Sequence, residues 1–185
     1  INMTENIHDF IHDLGLLKRK DRAGWVKRGI ENPESVAEHN FRVGMVAFAL
    51  GKRFGFDPFK VGMMGVIHDA PEYKAPDYTP HDDITVEDKF REEEEAMKEL
   101  TSKIEDGDHM LELWREFEEG KTPEAQFVKI IDKLEMMFQA EEYETEQPDK
   151  DLESFWEGIE GFDFGDVNEI FDYLRLNRTK ASGKK

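Results

Sequence analysis

Apolar residues recur along this chain at the i, i+3, i+4, i+7 spacing of one helix face, and no segment of useful length alternates with the period of two that a strand needs. Ile7, Phe10, Ile11 and Leu14 open the series and predict a first helix over residues 5–14, capped by Thr4 and closed by Gly15. Asn32-Pro33 carries a cap-then-proline signature for a second helix reaching about Arg53, with Val36, Val43, Val46, Ala47 and Leu50 inward. Asp57-Pro58 repeats that signature. The third helix is expected to turn Phe59, Met63, Val66 and Ile67 inward until Pro71 disfavours helical geometry at Ala70. After a proline-rich loop over 71–84, a charged helix over 85–103 has Phe90, Met97, Leu100 and Ile104 as its apolar side. Met110, Leu111, Leu113, Trp114 and Phe117 predict another, stopped by Gly120. Thr122-Pro123 starts a helix striped by Phe127, Ile130, Ile131, Leu134, Met137 and Phe138, and Val167, Ile170, Phe171 and Leu174 mark the last. The fold class expected is all-α.

At 185 residues the chain is expected to be one domain over 5–178. Residues 1–4 are taken as a tag remnant and lead before and around Met3, the expected natural start, and 179–185 as a polar, disordered tail. No run of eighteen apolar residues is present, so no membrane partner is expected, and a cytoplasmic protein is inferred. There is no cysteine, which leaves histidine and carboxylate as metal ligands.

A formal net charge of −18 argues against binding nucleic acid, whose backbone needs a basic surface. The charge is unevenly spread, however: Lys18, Arg19, Lys20, Arg22, Lys27 and Arg28 cluster with a single acid, Asp21, between them. This segment suits either a solvated loop or one that attracts a small anion. Trp25 lies within it, as a core anchor or as a platform for a ligand.

The dipeptide His-Asp occurs four times, and context separates the copies. His8-Asp9 and His12-Asp13 fall outside their helix's apolar stripe, and His81-Asp82 sits in a loop. Only His68-Asp69 closes an apolar helix, followed three residues on by Glu72. Burying such groups costs several kcal/mol unless they are neutralised or hydrogen-bonded, roughly as for any polar side chain without a partner. His39 falls on the inner stripe of the second helix, as a satisfied core histidine or as a ligand if its face meets His68-Asp69. Asp132 sits at the edge of a buried stripe, as the partner of a lysine or as a further ligand. Two imidazoles and two carboxylates suit one divalent transition ion, Mn, Fe, Co, Ni or Zn, better than Ca or Mg. Such an ion can activate water and polarise a phosphoryl oxygen.

His39, the pair His68-Asp69, and Asp132, in this order on an all-helical scaffold, resemble the H...HD...D signature of the HD-domain metal-dependent phosphohydrolases, over roughly residues 5–145. Arg22-x-Gly24-Trp25-Val26, Glu34-Ser35-Val36-Ala37-Glu38-His39 and His68-Asp69-Ala70-Pro71-Glu72 followed by Asp77 are similar to the 5′-deoxynucleotidase branch of that family. The resemblance implies an HD-type helical bundle with metal ligation by His39, His68, Asp69 and Asp132. It implies that Glu72 orients or activates the attacking water, that Asp77 contacts substrate or the departing sugar hydroxyl, and that Trp25 packs against the sugar. Where the bacterial branch has an arginine directly before the tryptophan, this chain has Gly24, so phosphate binding passes to Arg22, with Arg28 and Lys74 as other candidates. The activity implied is hydrolysis of (deoxy)nucleoside 5′-monophosphates to nucleoside and phosphate by a homodimer. Triphosphohydrolysis of dNTPs, phosphodiester cleavage, and a metal-binding helical regulator without turnover are the alternatives.

Overall fold

Ser35, rather than Asn32, starts the helix on which the site is built. In the computed structural model, which describes residues 2–80 and 82–178, the Ser35 side chain accepts from the Glu38 backbone N–H, and the Glu38 carboxylate accepts in return from Ser35 N at 2.6 Å. This reciprocal capping box satisfies two helix-end donors at once. Asn32 is left outside, in a left-handed conformation with φ of 49°. The expected cap-and-proline start is therefore corrected by one turn.

The described helices are α1 (Met3–Leu16), α2 (Ala23–Val26), α3 (Val36–Gly51), α4 (Pro58–Ile67), α5 (Val86–Thr101), α6 (Gly107–Glu119), α7 (Pro123–Glu146), α8 (Glu153–Gly158) and α9 (Asn168–Asn177). Extended pairing among the described residues is confined to an isolated bridge between Asp21 and Ser35, so the all-α expectation holds. Asp57 and Thr122 cap α4 and α7 with proline at the first helical position, as expected. Asn2, not Thr4, caps α1, because its side chain accepts from Thr4 N, and Gly15 lies inside a helix that continues to Leu16.

The fold centres on the α3–α4 hairpin. A Cβ at Gly44 would come within 2.4 Å of Val66, and one at Gly65 within 2.9 Å of the Gly44 backbone, so only glycine lets these antiparallel helices touch. The glycine stripe turns the rest of α4. Val61, Met64 and Ile67 are buried, whereas Phe59, Met63 and Val66, expected inside, are 76%, 53% and 43% exposed. Backbone proximity, rather than side-chain hydrophobicity, chooses which face of α4 meets α3.

α7 packs across both helices of the hairpin, and α5 and α6 close the other side around the fully buried Trp114 and Met97. α1 contributes Phe10 and Leu14 to the core, but its expected face is otherwise open, with Ile11 exposed. Trp156 of α8 is buried beneath the Arg178 guanidinium, which pairs with the buried Glu144 at 2.6 Å. Glu144 and Glu93, although each stands in a run of acidic residues, are core residues. No helix among the described residues is long and apolar enough to cross a membrane. The tail expected over 179–185, His81 of the loop pair, and Ile1 lie outside the described residues.

Candidate metal centre and its surroundings

The hairpin geometry delivers the two histidines to one point. With Gly44 seated on Gly65, the start of α3 lies beside the end of α4, and the His39 and His68 rings stand edge to face with centroids 5.2 Å apart. α4 ends at Ile67, because Pro71 already commits Ala70–Tyr73 to a tighter 3-10 turn, and His68 and Asp69 occupy the junction. α7 then carries Asp132 into the same space.

Each imidazole is held by Nδ1 and presents Nε2. His68 Nδ1 donates to the Gly65 carbonyl at 2.7 Å, and His39 Nδ1 to the Glu135 carboxylate at 2.5 Å. His39 Nε2 lies 3.0 Å from Asp132 Oδ1 and 3.8 Å from Asp69 Oδ2; His68 Nε2 lies 3.2 Å from Asp69 Oδ2 and 3.7 Å from Asp132 Oδ1. His68 Nε2 is buried and has no hydrogen-bond partner. Donors bound to one ion at about 2.1 Å stand roughly 3 to 3.5 Å from one another, so nitrogen and oxygen atoms at these spacings suit a shared cation. An orphaned imidazole nitrogen aimed into a group of carboxylate oxygens is what a cation site leaves when only the protein is considered. His39, His68 and Asp69 satisfy the ligand-atom spacing together, and Asp132 contacts both histidines. The donor set fits a divalent transition metal.

The electrostatics agree. Burial and Arg22 both oppose charging His39, yet its hydrogen bonds to Asp132 and Glu135 raise its pKa to about 10. Burial pushes Asp132 upward, but His39 and His68 outweigh it and hold the carboxyl down at about 2. Asp69 is likewise held well below the usual carboxylate range, against its burial, by His68, Arg22 and His39. The protein thus keeps both aspartates ionised.

Around this centre the chain gathers further groups. The Asp21–Ser35 bridge, flanked by bonds from Arg22 N to Glu34 O and from Val36 N to Lys20 O, ties the basic loop to the start of α3. It thereby aims Arg22, whose Nη1 lies 3.1 Å from Asp69 Oδ2 and 3.6 Å from Asp77 Oδ2. Asp77 accepts from the Ala23 backbone at 2.8 Å. Glu72, on the 3-10 turn, is buried with Oε2 unpartnered, and its pKa is raised well above the ordinary value by burial and by the charges of Asp69 and Asp77. Lys20 pins that turn through the carbonyls of Glu72 and Ala75.

Three expected substrate residues are placed differently. Trp25 is 3% exposed, wedged against Tyr143 and Phe155 with its indole N–H donated to Glu34 at 3.0 Å, so it serves as a core anchor. Arg28 lies over the Phe155 ring and donates to the Gly24 carbonyl. Lys74 pairs with Glu99 of α5 at 2.5 Å on the exposed surface instead of joining the cluster. His8 and Asp9 pair on the surface, as expected.

Sequence reasoning missed Glu135, Arg42 and Glu34, which surround the far side of His39. A signal for two of them existed. His39 and Arg42 are three apart on α3, and Asp132, Glu135, Gln139 and Glu142 fall at helical spacing on one face of α7.

The model of the HD domain family matches residues 14–162. The 5′-deoxynucleotidase HDDC2 of Dictyostelium discoideum is 39% identical over 169 residues, covering 84% of this chain and 89% of the relative. The human protein of the same name is 34% identical over 180 residues, covering 95% and 88%. Among solved structures, a protein from Pyrococcus horikoshii OT3 superposes with a TM-score of 0.74 at 32% identity, covering 91% of this chain and 96% of the other. One from Magnetospirillum magnetotacticum MS-1, described as a predicted metal-dependent phosphohydrolase, gives 0.64 at 25% identity, covering 76% and 72%. With its ordered histidines and aspartates gathered on the α3–α4 hairpin and α7, and a family match over most of its length, the chain belongs to the HD-domain family of phosphohydrolases.

Proposed function

We propose that this protein is a metal-dependent phosphomonoesterase that hydrolyses (deoxy)nucleoside 5′-monophosphates to nucleoside and phosphate. The observation that carries the reading is the convergence of His39, His68, Asp69 and Asp132 beside Arg22, Glu72 and Asp77. The four ligands would hold one ion from the group Mn, Co, Fe, Ni and Zn. When bound, that ion supplies positive charge to the phosphate and acidifies water.

The remaining chemistry belongs to the chain. Arg22, aimed at the ligand cluster from the basic loop, pairs with phosphate oxygens and positions the monoester. Glu72, with an unpartnered carboxylate oxygen, accepts a proton from the attacking water as its oxygen bonds to phosphorus in line with the departing sugar oxygen. Asp77, fixed by Ala23 N beside Arg22, contacts the departing sugar hydroxyl. Trp25 is assigned to the wall of the loop that aims Arg22, because its backbone N–H closes on the Arg22 carbonyl and little of the indole reaches solvent.

A single basic loop on a chain of net charge −18 favours a small anion over a nucleic acid. The proposal includes cytoplasmic residence and a homodimer. Phe41, Met45 and Phe48 of α3 and Phe59, Met63 and Val66 of α4 form an exposed apolar surface, and no acid occurs from residue 39 to 56 or from 58 to 68. A surface of this kind exceeds the scattered apolar residues expected of a monomer, and a second copy can cover it.

The test is phosphate release from a panel of deoxyribo- and ribonucleoside monophosphates with Mn, Co or Mg, or with a chelator. Metal-dependent release from monophosphates is expected. Activity confined to triphosphates or phosphodiesters, or metal uptake without any turnover, would overturn the proposal.

A further inference from the structure

Behind His39, on the side away from Asp69 and Asp132, lies a charge network, buried at Glu135 and half-buried at Arg42 and Glu142, that the reaction described above does not use. The Glu135 side chain is fully buried. Its Oε2 accepts from His39 Nδ1 at 2.5 Å, and its Oε1 accepts from Arg42 Nε at 2.8 Å. Arg42 is itself fixed. Its Nη1 reaches both Glu142 oxygens and its Nη2 reaches Gln139 Oε1, all at 2.8 Å.

We infer that Glu135 is a positioning residue for the metal centre: clamped by Arg42, it holds the proton of His39 on Nδ1, fixing the ring's orientation and leaving Nε2 as the ligand atom. The inference rests on the metal-site reading above. An ionised carboxylate can only accept, so an Nδ1 within hydrogen-bond distance of one must carry the proton. His68 reaches the same state through a backbone carbonyl, which is neutral. The carboxylate also makes the His39 imidazole a stronger electron donor, as partners of metal-bound histidines generally do.

The same corner could be taken for a second cation site, because Glu34, His39 and Glu135 place ligand atoms close together. Both Glu135 oxygens and Glu34 Oε1 are already engaged. Arg42 occupies one Glu135 oxygen and His39 the other, while Trp25 Nε1 donates to Glu34 Oε1. Burial and the neighbouring Glu135 charge push Glu34 up to about 7, whereas His39 and Arg42 hold Glu135 below its ordinary value despite burial. A cation there would have to displace the Arg42 guanidinium. The arrangement is a support for His39, not a second binding site.

Glu135→Gln keeps the volume and removes the charge. Its carbonyl can face His39 only by turning its amide NH2 toward Arg42, donor against donor. Calorimetric titration of the metal-free protein with Mn or Zn should show binding about 10- to 100-fold weaker than in the unsubstituted protein, at unchanged helix content. Cobalt absorption bands and the ring nitrogen NMR signals of His39 in the zinc form should shift, which a residue that only filled space would not cause. Affinity within twofold of the original, with unmoved signals, overturns the inference while leaving the metal site standing. No metal uptake by the unsubstituted chain overturns both. If the variant does not fold, the zinc form of the unsubstituted protein still decides: His39 protonated on Nδ1 and bound through Nε2 supports the role, and binding through Nδ1 refutes it.

Discussion

Arg22 and Asp69, forty-seven positions apart in sequence, meet with Nη1 3.1 Å from Oδ2, and this contact joins the basic loop to the candidate metal centre. Asp77 lies 3.6 Å from the same nitrogen. A guanidinium between two carboxylates stays charged through any working pH, and its Nη2 rests only on the Met136 sulfur at 3.7 Å, a weak acceptor that phosphate oxygens taken bidentately can replace. Arg22→Lys keeps the charge and loses the fork. It should raise KM for a nucleoside monophosphate about tenfold, and Arg22→Ala should lower kcat/KM by roughly 10- to 150-fold, the worth of one charge-assisted hydrogen bond. Metal content should not change in either variant. An unchanged KM in both would move phosphate binding elsewhere, and Lys89, whose charge is felt at Asp69 from α5, would then be the first place to look.

Asp69→Asn and Asp132→Asn each remove a charge that the two histidines hold ionised against burial. Each should abolish metal uptake and phosphate release together, with helix content by circular dichroism retained. Chelation of the unsubstituted protein should lower Tm, because a ligand bound only by the native state stabilises it. Hydrolysis that survives Asp132→Asn at more than a few per cent would remove Asp132 from the ligand set.

Glu72→Gln separates binding from chemistry. The side chain is not one of the four assigned ligands, so metal affinity should stay within a fewfold of the original. Turnover should fall about 10²- to 10⁴-fold, the usual contribution of a positioned proton acceptor. Its raised pKa in the protein alone reflects burial beside Asp69 and Asp77, so the group is a proton acceptor only once positive charge is added nearby.

What the sequence made legible follows from local rules. Asp57-Pro58 and Thr122-Pro123 mark helix starts because cap and proline act within one turn, and His68-Asp69 stands out because Pro71 must end the helix there. His39, His68 and Asp69 could be proposed as ligands because they are ionisable groups on inner faces or helix ends, and Asp132 because it sits at an edge. The failures needed the third dimension. Phe59 and Met63 were expected inside because they are apolar, but two glycines claim the contact with α3, and the large side chains are rotated outward. Asn32-Pro33 lost to Ser35-x-x-Glu38 because the second pairing satisfies two backbone groups instead of one. Trp25 looked available to a sugar because the sequence does not reveal that Tyr143 and Phe155 close over it.

The rotation of α4 has its own consequence. The Phe48 and Phe59 rings pack against each other with centroids 5.3 Å apart, yet are 41% and 76% exposed. Phe59→Glu places a charge on the surface assigned to a second copy, at a side chain that in the monomer is mostly exposed. Sedimentation equilibrium should show dimer for the unsubstituted chain and monomer for the variant, with Tm of the variant no longer dependent on protein concentration. A chain that is monomeric at high concentration before substitution would remove the homodimer from the proposal.

Glu93 gives a pH dependence distinct from the metal ligands. It is 5% exposed on α5; burial pushes its carboxyl up, Lys89 at 3.4 Å pulls it back, and Glu118 and Asp69 push it up again, leaving it at about 7 against an ordinary 4.5. Between those values the native state holds a proton that the unfolded chain has lost, so native stability must fall as pH rises across that window. The whole contribution is present below 4.5 and gone above about 7. Glu93→Gln removes the titration. In urea unfolding of the metal-free protein, the variant should gain on the unsubstituted chain as pH is raised from 4.5 to 7, by up to about 3 kcal/mol at 1.36 kcal/mol per unit, and by no more above pH 7. A difference that stays constant from pH 5 to pH 8 would mean that Glu93 titrates as an ordinary surface acid and that α5 and α6 leave it more water than their packing shows.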